Sequence, residues 1–125
     1  MKKIINTSNA PKAIGPYSQA VWAGDLLFLS GQIALCPETG AFLNSSLEEE
    51  SHQVMKNIKS ILNAAEMDYQ NIIKTSIFLK DMNDFAEVNQ IYASYLAEPF
   101  PARETVEVAR LPKDARIEIS IIAKK

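Results

Sequence analysis

Ser18-Gln19-Ala20-Val21-Trp22-Ala23-Gly24-Asp25-Leu26-Leu27-Phe28-Leu29-Ser30 is the stretch on which the fold turns. Two apolar runs flank Gly24-Asp25, and glycine supplies the positive φ of a tight turn, so the stretch predicts a β-hairpin. Its second strand is apolar at both parities: Leu27 and Leu29 on one face, Leu26 and Phe28 on the other. A strand of that kind has to be covered on both sides.

Downstream, Ser46-Leu47-Glu48-Glu49 fits a capping box, with acidic residues where the helix dipole favours them. Val54, Ile58, Ile61, Leu62 and Ala65 then recur at helical spacing as a core stripe. Glu66 stands where a terminating glycine is expected. Ile72 to Lys80 is rich in β-branched residues and predicts a strand. Asp84-Phe85-Ala86-Glu87 opens a second helix with another capping pattern, and Phe85, Val88, Tyr92, Tyr95 and Leu96 give it an apolar face that Pro99 and Pro101 end. Two strands, about 103–109 and 116–123, close the chain, joined by the turn-forming Arg110-Leu111-Pro112-Lys113-Asp114. The predicted order is β-β-α-β-α-β-β, with a short extra strand at about 3–6. The simplest layout is α+β, one sheet with two helices on one face. No repeat, Gly/Ser linker or charge block divides residues 1–125, so one domain is expected.

Composition removes several functions. The 47% hydrophobic and 22% charged fractions argue against disorder. One His (His52) and one Cys (Cys36) leave no multi-histidine or thiolate-rich metal site, so no metal is expected. His52 is expected at the surface, and a lone Cys fits a reducing compartment. A net charge of −2, with no Lys/Arg run longer than two residues, argues against a nucleic-acid partner. No apolar stretch approaches the roughly 20 residues of a membrane span. Met1 to Asn6 lacks the sustained apolar region of a secretory signal, and the expected address is the cytoplasm.

Two helices cannot cover both faces of such a sheet, and an open apolar face of several hundred Å2 is unusual in a monomer. An oligomer that buries the second face follows, a monomer with a ligand groove there being the alternative. Read as a hairpin, the last two strands put Val106 and Val108 with the isoleucines of Ile117-Glu118-Ile119-Ser120-Ile121 against the helices. Arg103, Thr105, Glu107, Glu118 and Ser120 would then share the opposite face, the one buried by partners. At ~3.4 Å per residue, Arg103 and Glu118 would lie roughly 13 Å apart along the strands. A site using both would have to be long or be completed across a subunit boundary. Spacing alone gives no more than this, since a strand arginine is commonly solvated or salt-bridged.

Five blocks add a resemblance. Ala13-Ile14-Gly15-Pro16-Tyr17-Ser18-Gln19-Ala20, Ser30-Gly31-Gln32-Ile33, Phe78-Leu79-Lys80-Asp81-Met82-Asn83-Asp84-Phe85, Pro101-Ala102-Arg103 and Val108-Ala109-Arg110-Leu111-Pro112-Lys113-Asp114 closely resemble the Rid/YjgF family, nearest its archetypal deaminase branch. The resemblance runs from about Ala10 to Ala123. It implies a chorismate-mutase-like α+β fold with one mixed sheet, a homotrimer with sites at the subunit clefts, and no cofactor or metal. It also implies the substrates: small 2-imino acids such as 2-iminobutanoate and 2-iminopropanoate, hydrolysed to 2-keto acids and ammonia. By position, Arg103 matches the carboxylate-binding arginine, a role suited to a planar guanidinium that forms two parallel charge-assisted bonds. Glu118 matches the carboxylate beside the attacking water, where it can take and return a proton. Tyr17 matches the site tyrosine, Ser30 and Gly31 the strand edge lining the cleft, and Asn89 a position on the second helix.

This sequence also departs from the family. Thr105 stands where archetypal members often carry a cysteine, so a role at 105 is kept only if the backbone carbonyl performs it. Ser120 replaces a frequent second carboxylate. The same arginine would also serve a non-catalytic 2-keto-acid-binding or chaperone-like module.

Overall fold

The computed structural model describes residues 1–125. The chain forms β1 (Ile4–Ile5), β2 (Ala20–Ala23), β3 (Leu26–Leu29), α1 (Leu47–Ala64), β4 (Ile72–Leu79), α2 (Phe85–Ala93), β5 (Ala102–Glu107) and β6 (Ile117–Lys124). The predicted element order is therefore found, including the short first strand. All six strands join one sheet in the order β1-β2-β3-β6-β4-β5. β4 and β5 run parallel, joined through α2, and every other neighbouring pair is antiparallel.

The β2–β3 hairpin forms as read, with Ala23 paired to Leu26 and Gly24 at φ 62°. The closing hairpin does not form. β6 inserts between β3 and β4, while β5 lies beyond β4 at the sheet edge. A strand as apolar as β6 gains most at the centre, where both its edges are hydrogen-bonded and one whole face is covered. β5 (Ala-Arg-Glu-Thr-Val-Glu) has no wholly apolar face, and the edge position suits it.

This topology also corrects the expected faces. Cross-strand partners share a face, and Arg103 pairs with Thr75, which pairs with Ile121. Thr105 pairs with Ile77, and Ile77 with Ile119. Thr75, Ile77, Ile119 and Ile121 are all buried in the core under the helices. Arg103, Thr105 and Glu107 therefore stand on the helix side. Glu118 pairs with Phe78, which pairs with Val106, and these with Ser120 occupy the open face. Val106 is 41% exposed there, not packed beneath a helix.

One core of 21 buried residues fills the space between sheet and helices. α1 contributes Val54, Ile58, Ile61 and Leu62, and the sheet contributes Leu27, Leu29, Ile77, Leu79, Ile117, Ile119 and Ile121. The opposite face keeps Phe28, 41% exposed, paired with Val21 and Ile122. That is the uncovered apolar face which the two-sided β3 anticipated.

The caps are partly as expected. The Ser46 side chain accepts from the Glu49 amide at 3.0 Å, but the Glu49 carboxylate reaches the amide of Ser45 rather than closing the box on Ser46. Asp84 caps nothing with its side chain; Asp81 instead accepts from the Asn83 amide and starts a 3-10 turn over Met82–Asp84. α2 ends at Ala93, before Tyr95, Leu96 and the prolines, because the Ser94 hydroxyl and amide take up its last carbonyls. Glu66 closes α1 in the left-handed region at φ 59°. Its amide bonds the Asn63 carbonyl and the Met67 amide the Leu62 carbonyl, a Schellman closure without glycine.

Candidate active site

Arg103 leaves the edge strand toward α2. Its guanidinium donates to the Asn89 amide oxygen and lies 5.6 Å from the Phe85 ring centroid and 5.4 Å from that of Tyr92. Phe85, Asn89 and Tyr92 are four and three residues apart, so one stripe of α2 carries them all. The bed is fixed from below: the Tyr92 hydroxyl donates to Thr75 Oγ1 at 2.9 Å, and Thr75 is fully buried. Burial raises the Tyr92 phenol above its ordinary value, so it stays a neutral donor. No carboxylate pairs with Arg103. Its charge rests on two aromatic faces and one amide, oriented and open to an anion. A cavity of ≈360 Å3 opens there, walled by Asn89, Tyr92, Ala93, Phe100, Pro101 and Arg103.

Thr105 is two residues along the same strand. Its hydroxyl oxygen is buried and has no hydrogen-bond partner. The Val108 amide bonds the Leu79 carbonyl, so amides two and four residues earlier also face β4. The backbone groups of Arg103, Thr105 and Glu107 consequently point off the free edge. The Thr105 carbonyl is thus presented beside Arg103, which is the part of residue 105 that a change from Cys leaves intact.

Glu118 faces a different space. Its carboxylate stands on the open face at the wall of a cavity of ≈570 Å3, together with Tyr17, Ser30, Gly31, Lys12 and Lys113. Burial alone pushes its carboxyl above the ordinary value. Gly31 is what admits it: a Cβ at that position would come within 2.8 Å of Glu118 Cδ. Gly31, expected at the strand edge lining the cleft, is at this cavity wall, and the group that lies against it is the Glu118 side chain. The Ser30 hydroxyl donates to the Ser18 carbonyl at 2.6 Å, so only its lone pairs face the cavity. Tyr17 is 53% exposed, on the loop that Gly15 turns at φ 128°.

The six residues expected to bind substrate, with Glu118, are therefore brought together as two groups. Arg103, Asn89 and Thr105 share the α2 side of β5; Tyr17, Ser30, Gly31 and Glu118 share the open-face cavity. The two cavities have no lining residue in common. Phe85 and Tyr92 belong to the apolar face of α2 as read, Tyr92 in the core and Phe85 against it, but sequence reasoning missed that they also bed Arg103; their spacing with Asn89 was the available signal. It missed Lys12 and Lys113 as cavity residues. His52 is half-buried rather than at the surface, its ring nitrogen hydrogen-bonded to the Tyr95 hydroxyl. Glu50 was also unforeseen: fully buried in the first turns of α1, it accepts from the Arg116 amide at 2.8 Å and anchors the start of β6.

A six-stranded mixed sheet with both helices on one face places the chain in the chorismate-mutase-like α+β class. Within that class it belongs to the Rid/YjgF family: the family model described as Endoribonuclease L-PSP matches residues 7–125. A human protein named 2-iminobutanoate/2-iminopropanoate deaminase is 46% identical over 123 residues, covering 98% of this chain and 90% of that one. A Yersinia pestis structure described as a protein of unknown function of the conserved Rid family superposes with a TM-score of 0.97 at 46% identity, each chain covered in full. An Escherichia coli structure, TdcF with bound serine, superposes at 0.93 with 43% identity and 99% of each chain covered. Relatives at similar distance thus include both named deaminases and proteins without an assigned role. No helix is long and apolar enough to cross a membrane.

Proposed function

We propose that the chain hydrolyses small 2-imino acids, such as 2-iminobutanoate and 2-iminopropanoate, to 2-keto acids and ammonia. The site is composite: Arg103, Asn89 and the Thr105 carbonyl come from one copy, and Tyr17, Ser30, Gly31 and Glu118 from a neighbour. Copies assemble as a homotrimer that buries the open sheet faces and forms three such clefts. The observation that carries this reading is the placement of an unpaired guanidinium and a half-buried carboxylate on opposite faces of one sheet. In a 2-imino acid the carboxylate carbon is bonded to the imine carbon. A group holding the first and a base serving the second must meet within a few ångströms, which one copy's own pair cannot do. The name of the human relative supports the substrate class, and the serine bound to the Escherichia coli one is a small molecule with the carboxylate that Arg103 is proposed to hold.

Arg103 grips the substrate carboxylate through two parallel bonds, with Asn89 and the aromatic bed holding the fork in plane. Glu118 takes one proton from water as the water oxygen adds to the iminium carbon, which gives a carbinolamine. Protonated Glu118 returns that proton to the amine nitrogen. The carbon–nitrogen bond then breaks, ammonia leaves, and the hydroxyl proton passes back to the Glu118 carboxylate as the keto group forms; Glu118 gives that proton up to solvent or to the departing ammonia. A carboxyl raised by burial is a better base for this than one at its ordinary value.

The test generates 2-iminobutanoate in situ with a dehydratase and follows its decay. Added protein is expected to speed the decay, and Arg103→Ala to abolish that effect. Unchanged decay with wild-type protein would remove the catalytic reading and leave a module that only binds keto acids.

A further inference from the structure

Pro112-Lys113-Asp114 holds two consecutive non-glycine residues in the left-handed region, and Pro112 and Lys113 stand at the wall of the Glu118 cavity. Lys113 has φ 56° and ψ 24°, and Asp114 follows at φ 56°. The Asp114 amide bonds the Leu111 carbonyl and the Ala115 amide the Pro112 carbonyl, so two turns overlap here. With Pro112 first, Lys113 occupies the turn position that calls for glycine. Asp114 is a residue type that tolerates the left-handed region, and Arg110 grips its carboxylate at 2.8 Å. Lys113 has neither excuse: it is exposed and paired with no acid. Yet its side chain lines the cavity, as does that of Lys12, which is likewise unpaired. Neither ammonium group pairs with Glu118 or with any other acid, so two free cations stand at the wall of this cavity.

We infer that Lys113 is held in a strained turn in order to place a cation at the cavity mouth, where with Lys12 it draws small carboxylate ligands in. It is a positioning residue for capture, not a catalytic one. This rests on the proposed function only in naming the ligand; the strain and the unpaired charge stand without it.

Three substitutions separate charge from strain. Lys113→Gln removes the charge and keeps the strain. Lys113→Gly removes both, and Lys113→Arg keeps both. Thermal unfolding and 2-oxobutanoate binding are measured for each at low and high salt, with imine decay alongside. Lys113→Gly is expected to unfold about 2–5 °C higher than wild type, because glycine adopts this φ without cost. Lys113→Gln and Lys113→Gly should both lose about threefold to tenfold in kcat/KM and in keto-acid affinity at low salt, with kcat unchanged and the difference shrinking at high salt. Lys113→Arg should behave as wild type. A purely structural lysine would move stability without altering the salt dependence, and that result overturns the inference. If imines are turned over normally by every variant, capture by Lys113 is wrong while the deaminase reading stands. If wild type hydrolyses no imine but its keto-acid binding still weakens with Lys113→Gln, the deaminase reading falls and the capture role stands. Wild type that binds no keto acid and hydrolyses no imine overturns both.

Discussion

Two inactive variants should rescue one another if the cleft is shared between copies. Arg103 and Glu118 stand on strands separated by β4, at register positions three residues apart. Two strand spacings of ~4.8 Å and three residues at ~3.3 Å put their Cα atoms about 14 Å apart, with the side chains leaving opposite faces. Arg103→Ala forfeits two charge-assisted bonds to the substrate, and activity should fall about a hundredfold or more. Glu118→Gln keeps the shape of the side chain but cannot accept the water proton, and should fall by a similar factor. In trimers reassembled from an equal mixture, each cleft draws its arginine and its glutamate from different copies. The chance that both are intact is one half times one half, so about a quarter of wild-type activity should return. The assay is imine decay on mixtures unfolded and refolded together, with each variant refolded alone as the baseline. Activity no higher than the mean of the two baselines would refute the composite cleft, since sites within one copy never contain both intact groups.

Three further outcomes follow from particular contacts. Gly31→Ala should leave the fold intact but push the Glu118 carboxylate aside, since its Cβ would lie 2.8 Å from Glu118 Cδ; imine decay should slow by about tenfold or more, with thermal unfolding as the control. Tyr92→Phe keeps the ring under Arg103 but leaves the buried Thr75 hydroxyl without its donor, so chemical denaturation should show a loss of about 1–2 kcal/mol with keto-acid affinity little changed. Glu50 is held above its ordinary value of 4.5, chiefly by burial. A carboxyl raised on folding stabilises the protein at low pH, and that contribution is lost as pH climbs from 4.5 through the folded-state value. Glu50→Gln should therefore flatten the dependence of stability on pH above 4.5, as read by urea midpoints between acid and neutral pH; an unchanged slope would mean that Glu50 is not the titrating group.

Most of the elements were legible because their signals are local. The β2–β3 hairpin needs only Gly24-Asp25 between apolar runs, and α1 only its cap and its 3.6-residue stripe. The uncovered face was legible too, since Leu26 and Phe28 on one strand demand cover that two helices cannot give. What failed was strand adjacency, which is a long-range property. Residues 110–114 read as a hairpin turn because Pro112-Lys113-Asp114 is turn chemistry. The connection found between β5 and β6 is longer, residues 108–116, and it brings β6 back beside β4 instead.

That one error inverted the site. With β5 and β6 as hairpin partners, Arg103 and Glu118 share a face and their separation is only a matter of length along the strands. With β4 between them and β5 parallel to it, pairing through Thr75 and Ile121 puts Arg103 under the helices, while pairing through Phe78 keeps Glu118 on the open side. Composition held a clue. β5 carries Arg103, Thr105 and Glu107 at one parity and Glu104 at the other, and Glu104 binds Lys74 and Ser76 across the open face. A strand polar at both parities buries neither face fully and belongs at an edge. An edge is also where a strand keeps free carbonyls and amides to offer, so the composition that disqualifies β5 from the core leaves Arg103 and the Thr105 carbonyl at an open edge, where the proposed second copy would meet them.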